Sequence, residues 1–434
     1  MNVNDFKKNV ISVKTGSWSS ERELKLTFPG HWRINHIKGV NLPEASVVDE
    51  IRNSFDNPIQ CGQLEQILQG KKTVVIVVDD HTRPTPVYDI VAELLNRISR
   101  QGIPAENVKL IVALGTHVLQ DTSHLKPKFR DLLDGRIKIV FPDVRTLKDY
   151  VHVGSTQSGI PVYIHHEYRD ADVRITVSGI YPHDEAGFSG GAKIMIGLLG
   201  LRTLSKFHRK YSVTGRGRFL ETPFRHELET YADIAGIDWS INIVLNHDKK
   251  IHKLWCGDFR RAFREAAEYA KSRLWVEKSN NADVIISNAY PLDTSLSVEG
   301  KSLWPFHDTP KSTRRILIAS PVYSDFRIPF CESKREAIMQ MIKRLTGASR
   351  IKKIYDQIRL WEEIKKDSNN KWNPEYVYFI PDVQKGVTKI GPVIGSHYAF
   401  LSWDSLMNEL QALFPEDKNV AVSLYDNAPL AFPR

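Results

Sequence analysis

Residues 72–86 read KTVVIVVDDHTRPTP, and this stretch decides the fold. Its first part, residues 72–78, is a continuous run of mostly β-branched apolar residues, which is typical of a strand buried on both faces of a parallel sheet. The run ends in a polar loop that carries Asp80 and Arg83. Apolar residues then recur at helical spacing over residues 87–98, so strand, loop and helix follow one another in the order of an α/β unit.

The same alternation continues on both sides of this stretch. Strands are predicted by apolar, β-branched runs at residues 108–114, 137–141 and 173–178, and a charged helix at residues 259–274. After a polar linker at residues 277–281, a second α/β series begins with strands at 284–287, 316–319 and 376–380 and helices at 334–345 and 351–366. A helix at 399–414 and a strand at 420–425 end the pattern. The sequence therefore predicts an α/β protein with two Rossmann-like domains and mainly parallel sheets.

Domain boundaries follow from this pattern and from the length of the chain. At 434 residues, the chain is expected to form two domains. We predict a first domain over residues 1–278 and a second over residues 282–398. For the last segment, residues 399–434, packing back on the first domain is one of two options.

Composition narrows the class of protein. The 41% hydrophobic and 26% charged residues are ordinary for a folded globular chain. The net charge of +9 comes from scattered lysines and arginines without a nucleic-acid-binding motif, which favours a small anionic ligand over nucleic acid. No apolar run reaches the roughly 18 residues of a membrane span. The three cysteines are far apart and are interpreted as free thiols, so we expect a cytoplasmic protein with no membrane contact.

Polar side chains follow separate predicted strands where each one ends. Asp80 and Arg83 come after one strand, His117 after the next, and His183 after a third. Ligands of open α/β sheets bind along this edge, so these side chains are expected to converge. A neutral imidazole can take a hydroxyl proton, and a guanidinium suits a carboxylate or phosphate. Simpler interpretations stay open: Asp80 as a helix cap, Arg83 as an internal ion pair and His117 as a loop histidine.

The segment at residues 178–210, SGIYPHDEAGFSGGAKIMIGLLGLRTLSKFHRK, indicates a bound cofactor. Its glycines, which include Gly190 and Gly191, let a backbone approach a bound group closely. Lys193 follows this turn but is succeeded by Ile194, so the segment is not a Walker A loop. His208 has no histidine or cysteine neighbours at metal-binding spacing, and from the residues alone a metal site ranks low.

Taken together, these motifs resemble the lactate racemase family. They are D-x-x-R-P at residues 80–84, L-G-T-H at 114–117, the segment from P-H to G-G-x-K at 182–193, and His208. Their order and spacing make the resemblance specific, and it extends through most of the chain. The family contains 2-hydroxyacid racemases and epimerases that use a nickel-pincer nucleotide, pyridinium-3,5-bisthiocarboxylic acid mononucleotide with nickel.

The resemblance implies how the cofactor would be held. Lys193 would carry it covalently, and His208 would be the protein ligand to nickel, because the cofactor supplies the remaining ligands of a square-planar site. Residues around the cofactor would be Asp80, Thr82, Gly190 and Gly191. Proteins that make and load the cofactor are implied as partners.

The resemblance also implies the reaction. His117 and His183 would be paired acid/base groups, and Arg83 together with Lys301 of the second domain would hold the substrate carboxylate in a cleft between the domains. Hydride would leave C2 of a 2-hydroxy acid and return on either face, which inverts that carbon.

Two departures from the family pattern concern the substrate. Ser297 and Val298 stand where members acting on lactate typically have an aromatic residue and glutamine, and Ala192 stands where arginine is frequent. We therefore predict a 2-hydroxy acid larger than lactate, such as the sugar acid class of aldonates. The alternatives are a dehydratase or oxidoreductase that uses the same site, and a non-catalytic binder of the cofactor or of an anionic metabolite.

Overall fold

The computed structural model describes residues 8–18, 21–39, 41–117, 119, 122–135, 137–211, 220–279, 281–295, 299–321, 376–381, 393–394 and 397–433. The strands within these residues are β1 Asn9–Thr15, β2 Arg22–Phe28, β3 Arg33–Ile37, β4 Val74–Asp79, β5 Val108–Ala113, β6 Lys138–Val140, β7 Tyr150–Ser155, β8 Pro161–His165, β9 Val173–Ile180, β10 Pro182–His183, β11 Gly187–Phe188, β12 Trp239–Leu245, β13 Ile251–Gly257, β14 Trp275–Val276, β15 Val284–Asn288, β16 Arg314–Ile318, β17 Val377–Phe379, β18 Val393–Ile394, β19 His397–Phe400, β20 Ala421–Tyr425 and β21 Phe432–Pro433.

The α-helices within the same residues are α1 Val47–Asp56, α2 Leu64–Leu68, α3 Tyr88–Arg100, α4 Lys126–Phe129, α5 His166–Arg169, α6 Leu201–Lys210, α7 Pro223–Ala235, α8 Arg261–Arg273 and α9 Trp403–Gln411. None of these helices combines the length and the hydrophobicity that crossing a bilayer requires. Two compact units are present. Of the described residues, 41–274 form one, named here the central unit, and 8–39, 275–321 and 376–433 form the other, named the terminal unit.

The central unit is built on a six-stranded sheet in the order β13-β12-β9-β4-β5-β6. Every neighbouring pair is parallel except β12 and β13. Strand β4 lies inside the sheet, and its side chains face two hydrophobic cores in alternation. Val74, Ile76 and Val78 pack with α1 and α3 on one face, whereas Val75 and Val77 pack with α6 and α7 on the other. Burial on both faces explains why this strand is a continuous apolar run.

The terminal unit contains a seven-stranded sheet in the order β18-β19-β17-β16-β15-β20-β3. Only the edge pair β18 and β19 is antiparallel among the pairs of this sheet that the structure describes. Its core lies where β1, β2 and α9 cover one face of the sheet. Both units therefore confirm the predicted α/β class with mainly parallel sheets, and the cleft between domains stays a prediction.

The terminal unit includes residues from both ends of the chain, which differs from the predicted domain boundaries. Residues 8–39 belong to it because β3 pairs in parallel with β20, from Arg33 opposite Ala421 to Ile37 opposite Tyr425. Residues 397–433 belong to it as well, because β19 and β20 are strands of the same sheet. The Trp403 indole of α9 donates a 2.8 Å hydrogen bond to the carbonyl oxygen of Thr27, which ties the two ends of the chain together.

Individual elements match the predictions where the apolar runs are long. The predicted strands at 72–78, 108–114 and 173–178 correspond to β4, β5 and β9. The predicted helix at 399–414 is wrong at its start, since residues 397–400 form β19 and the helix covers only Trp403–Gln411. The sequence pattern missed the hairpins β7–β8 and β12–β13. The predicted helices at 334–345 and 351–366 lie outside the described residues.

Candidate active site

Asp80 lies in the loop that follows β4 and is nearly fully buried. Its Oδ1 accepts hydrogen bonds from the Thr82 amide at 2.8 Å and the Thr82 hydroxyl at 2.6 Å. Its Oδ2 lies 2.6 Å from Nδ1 of His117. Burial alone would raise the pKa of Asp80, but the charge and hydrogen bond of His117, with Arg83 and His81, outweigh it and hold the pKa well below its usual value. Asp80 is therefore an ionised carboxylate that orients an imidazole.

His117 lies four residues after the end of β5, at the same sheet edge. Asp79 of β4 is in register with Ala113 of β5, which brings the two following loops side by side. Gly115 has φ of +58°, a conformation that favours glycine, and the His117 amide closes the turn with a 3.0 Å hydrogen bond to the Leu114 carbonyl. Asp80 and His117 thus converge as expected. Because His117 contacts a buried carboxylate, its interpretation as a plain loop histidine is less favoured.

One simple interpretation of the loop after β4 is corrected by the structure. Asp80 is not a helix cap, since the cap position of α3 is Val87. Thr82, expected near the cofactor, gives both its amide and its hydroxyl to Asp80. Thr82 therefore holds the carboxylate in place, and a direct contact with the cofactor stays a prediction.

Arg83 lies in the same loop with 13% of its side chain exposed, and its Nε is 4.0 Å from Oδ1 of Asp80. Burial alone would lower the pKa of its guanidinium, whereas the hydrogen bond with Tyr181 and the carboxylates of Asp80 and Asp79 raise it above its usual value. The internal ion pair, one of the simpler interpretations of Arg83, is therefore present with Asp80 at a long distance. The guanidinium stays charged and is fixed at the same edge as the imidazole of His117.

Lys128 of α4 is a residue of this site that sequence reasoning missed. Only 2% of it is exposed, and its ammonium donates hydrogen bonds to three main-chain carbonyls at the end of β4 and in the loop that follows. The acceptors are Asp80 at 2.7 Å, Asp79 at 3.1 Å and Arg83 at 3.3 Å. Burial lowers the pKa of Lys128 to about 8. Its acceptors are backbone atoms, so no residue type in the sequence signals the contact.

Replacing Lys128 by methionine is expected to destabilise the central unit. The change leaves three main-chain carbonyls without their donor, so the free energy of unfolding should fall by about 1–3 kcal/mol. Urea denaturation measures the effect. Lys126→Met is the matched control, because Lys126 lies on the same short helix but is exposed. Equal stability of the two variants would contradict the role given to Lys128.

His183 follows β9 in the short hairpin of β10 and β11 and is 7% exposed. Its Nδ1 accepts hydrogen bonds from the amides of Glu185 at 3.2 Å and Ala186 at 3.3 Å. β9 lies next to β4 in the sheet, so this hairpin starts at the same edge as the loop of Asp80. A hydrogen bond joins the ends of β4 and β9, since the Gly179 amide donates to Oδ2 of Asp79 at 2.9 Å.

The glycines before Lys193 are explained by packing within the protein. Gly190 and Gly191 have φ of +85° and +54°, and a Cβ at these positions would collide with the side chains of Ile180 and Phe263. The Gly191 amide donates to the Asn242 side chain at 3.0 Å. The structure therefore gives these glycines an internal role, which differs from the expected opening for a cofactor. Their contact with the cofactor stays a prediction.

Arg225 of α7 is a second residue that sequence reasoning missed. It is fully buried, and burial lowers its pKa to about 9. Its guanidinium donates hydrogen bonds to the carbonyls of Gly190 and Phe188 and lies over the ring of Phe263, 4.0 Å from the centroid. Arg225 thus fixes the turn that precedes Lys193.

Lys193 lies on the 3-10 turn Gly191–Gly197 and is only partly exposed. Burial, helped by the positive charges of Arg83 and Arg225 and opposed by Asp79 and Glu185, lowers its pKa to about 7. A lysine with this pKa is about half neutral at neutral pH, and only the neutral amine is a nucleophile. The environment of Lys193 therefore suits covalent attachment of a group.

His208 lies in the last turn of α6, with its ring edge-on to Phe207 and Phe224. Its Nδ1 is 3.9 Å from Oε1 of Glu185. Within the part of the chain that the structure describes, no group of three or more histidine, cysteine, aspartate or glutamate side chains could hold a metal. The assignment of His208 to nickel stays a prediction that rests on one imidazole.

Glu185 connects three of the predicted site residues. Its amide donates to His183, its carboxylate approaches His208, and its negative charge acts on Lys193. A single glutamate in a turn gives no signal in one sequence. The structure therefore brings His183, Lys193 and His208 into one neighbourhood of the central unit, and the electrostatic effect of Arg83 on Lys193 links that neighbourhood to the loop after β4.

Lys301 lies in the terminal unit, on the 3-10 turn Glu299–Ser302. The Ser287 hydroxyl of β15 donates a 2.6 Å hydrogen bond to the Ser302 carbonyl and anchors that turn. The contact of Lys301 with substrate stays a prediction. Ser297 and Val298, which led to the prediction of a larger substrate, lie outside the described residues.

Asp293 precedes this segment, and its pKa predicts a pH dependence of stability. Burial raises the pKa to about 6, although Oδ2 accepts hydrogen bonds from the Gly16 amide at 2.6 Å and the Thr15 hydroxyl at 3.1 Å. The folded chain therefore binds this proton more tightly than the unfolded chain. Its stabilising contribution is complete below the unfolded pKa near 4 and is lost as the pH rises through about 6, a change of roughly 3 kcal/mol.

Asp293→Asn is expected to remove this dependence between about pH 4 and pH 6. Urea midpoints measured across that range for the wild type and the variant give the difference. Asp308→Asn is the control, because Asp308 is highly exposed and should leave the profile unchanged. Parallel profiles for wild type and Asp293→Asn would contradict the raised pKa.

A cavity of about 270 Å³ lies beside His117. Its lining is about equally polar and apolar, and it includes an ion pair in which Arg145 and Asp143 form a forked contact at 2.6–2.9 Å. The complete lining is Leu114, His117, Leu119, Phe141, Pro142, Asp143 and Arg145.

Comparison with known proteins gives matches to lactate racemases. Residues 20–218 match the model of the lactate racemase N-terminal domain. Lactate racemase of Thermoanaerobacterium thermosaccharolyticum is 30% identical over 273 residues, which cover 60% of this chain and 62% of that protein. Lactate racemase of Lactiplantibacillus plantarum is 28% identical over 279 residues, which cover 63% of this chain and 65% of that protein. The matched stretch thus spans less than two thirds of either relative.

Solved structures show the same fold. The lactate racemase apoprotein of T. thermosaccharolyticum superimposes with a TM-score of 0.69 at 20% identity, covering 98% of this chain and 100% of that one. A Thermotoga maritima protein gives a TM-score of 0.60 at 15% identity, covering 91% of this chain and 100% of that one. The matched domain and the two relatives support assignment of the chain to the lactate racemase family, and the solved structures share its fold.

Proposed function

We propose that this protein is an isomerase that inverts C2 of a 2-hydroxy acid. The observation that carries the proposal is the pair of buried Asp80 and partly buried His117, 2.6 Å apart, at the sheet edge that also holds Arg83. This arrangement supplies a base for a hydroxyl and a cation for a carboxylate, the two groups that define a 2-hydroxy acid. Similarity to lactate racemases supports the reaction class.

The residues present fit the nickel-pincer nucleotide. Lys193 offers a partly buried amine whose pKa of about 7 leaves about half of it neutral, and so nucleophilic, at neutral pH. His208 offers an imidazole next to Glu185. Lys193 would hold the cofactor covalently, and His208 would ligate its nickel. When bound, this group supplies the acceptor for the C2 hydride, a chemistry that protein side chains lack.

The chain's own residues would move the proton and hold the charges. Nε2 of His117 takes the hydroxyl proton, and the carboxylate of Asp80 stabilises the imidazolium that results. Arg83 binds the substrate carboxylate through its forked donors. His183, at the end of the neighbouring strand, is the second acid/base group. Lys301 would add a further positive charge from the terminal unit.

A larger substrate than lactate is supported by the cavity beside His117. About 270 Å³ exceeds what a three-carbon acid needs once its carboxylate and hydroxyl are bound. The Asp143–Arg145 fork at its wall can hydrogen-bond hydroxyl groups, and Phe141 can pack on a carbon chain. These features favour a polyhydroxylated acid such as an aldonate.

A substrate panel tests the proposed function. The protein is co-expressed with cofactor-making proteins and offered single enantiomers or epimers from lactate to six-carbon aldonates, and chiral chromatography follows the products. We expect inversion at C2, with the larger acids converted at the highest kcat/KM. Absence of inversion for every acid would contradict the proposed reaction. Conversion of lactate alone would contradict the proposed substrate. Keto acid as the sole product would instead indicate an oxidoreductase.

A further inference from the structure

The hydrogen-bond partners of the two site histidines define where each ring carries its proton. Nδ1 of His117 faces Oδ2 of Asp80 at 2.6 Å. Asp80 also accepts both donors of Thr82, and its pKa is held well below the usual value, so the carboxylate is ionised and accepts only. Nδ1 of His117 must therefore donate. In the neutral ring, Nε2 of His117 is then the nitrogen with the free electron pair.

The partners of Nδ1 of His183 are hydrogen-bond donors, whereas the partner of Nδ1 of His117 is an acceptor. Nδ1 of His183 faces two main-chain N–H groups, those of Glu185 at 3.2 Å and Ala186 at 3.3 Å. Amide N–H groups donate only, so Nδ1 of His183 must accept and cannot carry a proton in this arrangement. The neutral ring of His183 is therefore protonated on Nε2.

We propose that His117 and His183 are held in opposite tautomers by Asp80 on one side and the backbone of Glu185 and Ala186 on the other, so that His117 is the base in the resting site and His183 a neutral donor. This asymmetry deepens the proposed function and rests on it for its chemical meaning. The tautomers themselves follow from hydrogen bonds within the central unit alone.

The chemical consequence concerns the proton that each histidine can move. His117 can accept a hydroxyl proton on Nε2 at once, because the imidazolium it forms donates from both nitrogens and keeps its bond to Asp80. Nε2 of His183 already carries a proton and cannot accept another. Release of that proton from a neutral ring would leave an imidazolate anion. His183 can exchange a proton only after Nδ1 has been protonated, and an N–H at Nδ1 would point at two other N–H groups.

The turn formed by Glu185 and Ala186 is consequently a positioning element. Proton transfer by His183 requires these two amides to move away from Nδ1, whereas transfer by His117 requires no such movement. The turn is tied down from outside, because the Thr222 hydroxyl donates to the Glu185 carbonyl at 3.1 Å and Arg225 donates to the carbonyls of Phe188 and Gly190. The two proton-transfer steps of an inversion are thus expected to be unequal.

Nitrogen-detected NMR of the histidine rings tests the proposal. Long-range ¹⁵N–¹H correlation spectra of the full chain, labelled with ¹⁵N-histidine and free of cofactor, distinguish the two neutral tautomers by their pattern of couplings. His117→Gln and His183→Gln each remove one ring and assign its signals. We expect the Nδ1–H form for His117 and the Nε2–H form for His183. The same tautomer in both rings, or Nδ1–H in His183, would overturn the proposal.

A second variant keeps the test decisive if either glutamine variant fails to fold. Asp80→Asn changes the partner of His117 and leaves the amides of Glu185 and Ala186 in place, so it should shift the ring signals of His117 and leave those of His183 unchanged. A change in both rings, or in neither, would contradict the separate control of the two tautomers. These spectra need neither cofactor nor substrate, so they can fail while the racemase activity is established, and the activity can fail while the tautomers are found as expected.

Discussion

Replacing Lys193 by alanine is expected to abolish both cofactor attachment and isomerase activity. The amine is the proposed anchor. Lys128 is also buried with a lowered pKa, but its ammonium donates to three main-chain carbonyls. Protein co-expressed with cofactor-making proteins should carry an adduct of several hundred daltons that is absent from Lys193→Ala. Activity should fall by at least about 10⁴-fold, since the hydride chemistry depends on the bound group. Intact mass and chiral product analysis give the two readouts.

Two controls distinguish the loss of the nucleophilic amine from the loss of positive charge and from the loss of a lysine in general. Lys193→Arg keeps the positive charge but removes the nucleophile, and it should also lack the adduct. Lys210→Ala removes an exposed lysine of α6 and should load normally. An adduct of unchanged mass on Lys193→Ala would show that the anchor lies elsewhere.

The pKa of Lys193 adds a pH dependence to the loading step. Protonated amine cannot attack, and the folded pKa is about 7, so the loading rate should rise as the pH increases from about 6 to 8 and then level off. Mass spectrometry of samples quenched over time at each pH gives the rate. A rate that still climbs steeply toward pH 10 would indicate an ordinary, exposed lysine.

Asp80→Asn is expected to have the second-largest effect, a loss of roughly 10²–10⁴ in kcat with a small change in KM. An amide cannot stabilise the imidazolium of His117, and it no longer selects the Nδ1–H form of that ring. Steady-state kinetics on the loaded enzyme measure both constants. Asp89→Asn changes an exposed aspartate of α3 and should leave kcat unchanged. A rise in KM alone would place Asp80 in substrate binding instead.

The sequence predicted the parts of the fold that depend on local pattern. β4, β5 and β9 are long apolar runs because they are buried inside a parallel sheet, and this burial leaves a clear signal. Asp80, His117 and His183 could be placed together because strand ends of a parallel sheet share one edge. The roles of Lys193 and His208, in contrast, came from family resemblance, since neither residue has a decisive neighbour along the chain.

The parts that could not be predicted depend on contacts between distant segments. β3 joins the sheet of the terminal unit through β20, at the other end of the chain. Lys128 and Arg225 bind main-chain carbonyls, which every residue has, so no pattern of side chains reveals them. The packing of Gly190 and Gly191 against Ile180 and Phe263 likewise depends on side chains elsewhere in the chain, and their contact with a cofactor stays a prediction.

The most direct test of the central claim follows the hydrogen at C2 of the substrate. One epimer of an aldonate, deuterated at C2, is incubated in ordinary water with the cofactor-loaded enzyme. The two epimers are then separated, and their masses are measured by mass spectrometry. Inversion by hydride return predicts the opposite epimer with its deuterium retained. An inverted product that has exchanged its deuterium for solvent hydrogen, or no inversion by an enzyme that carries the Lys193 adduct, would contradict the account.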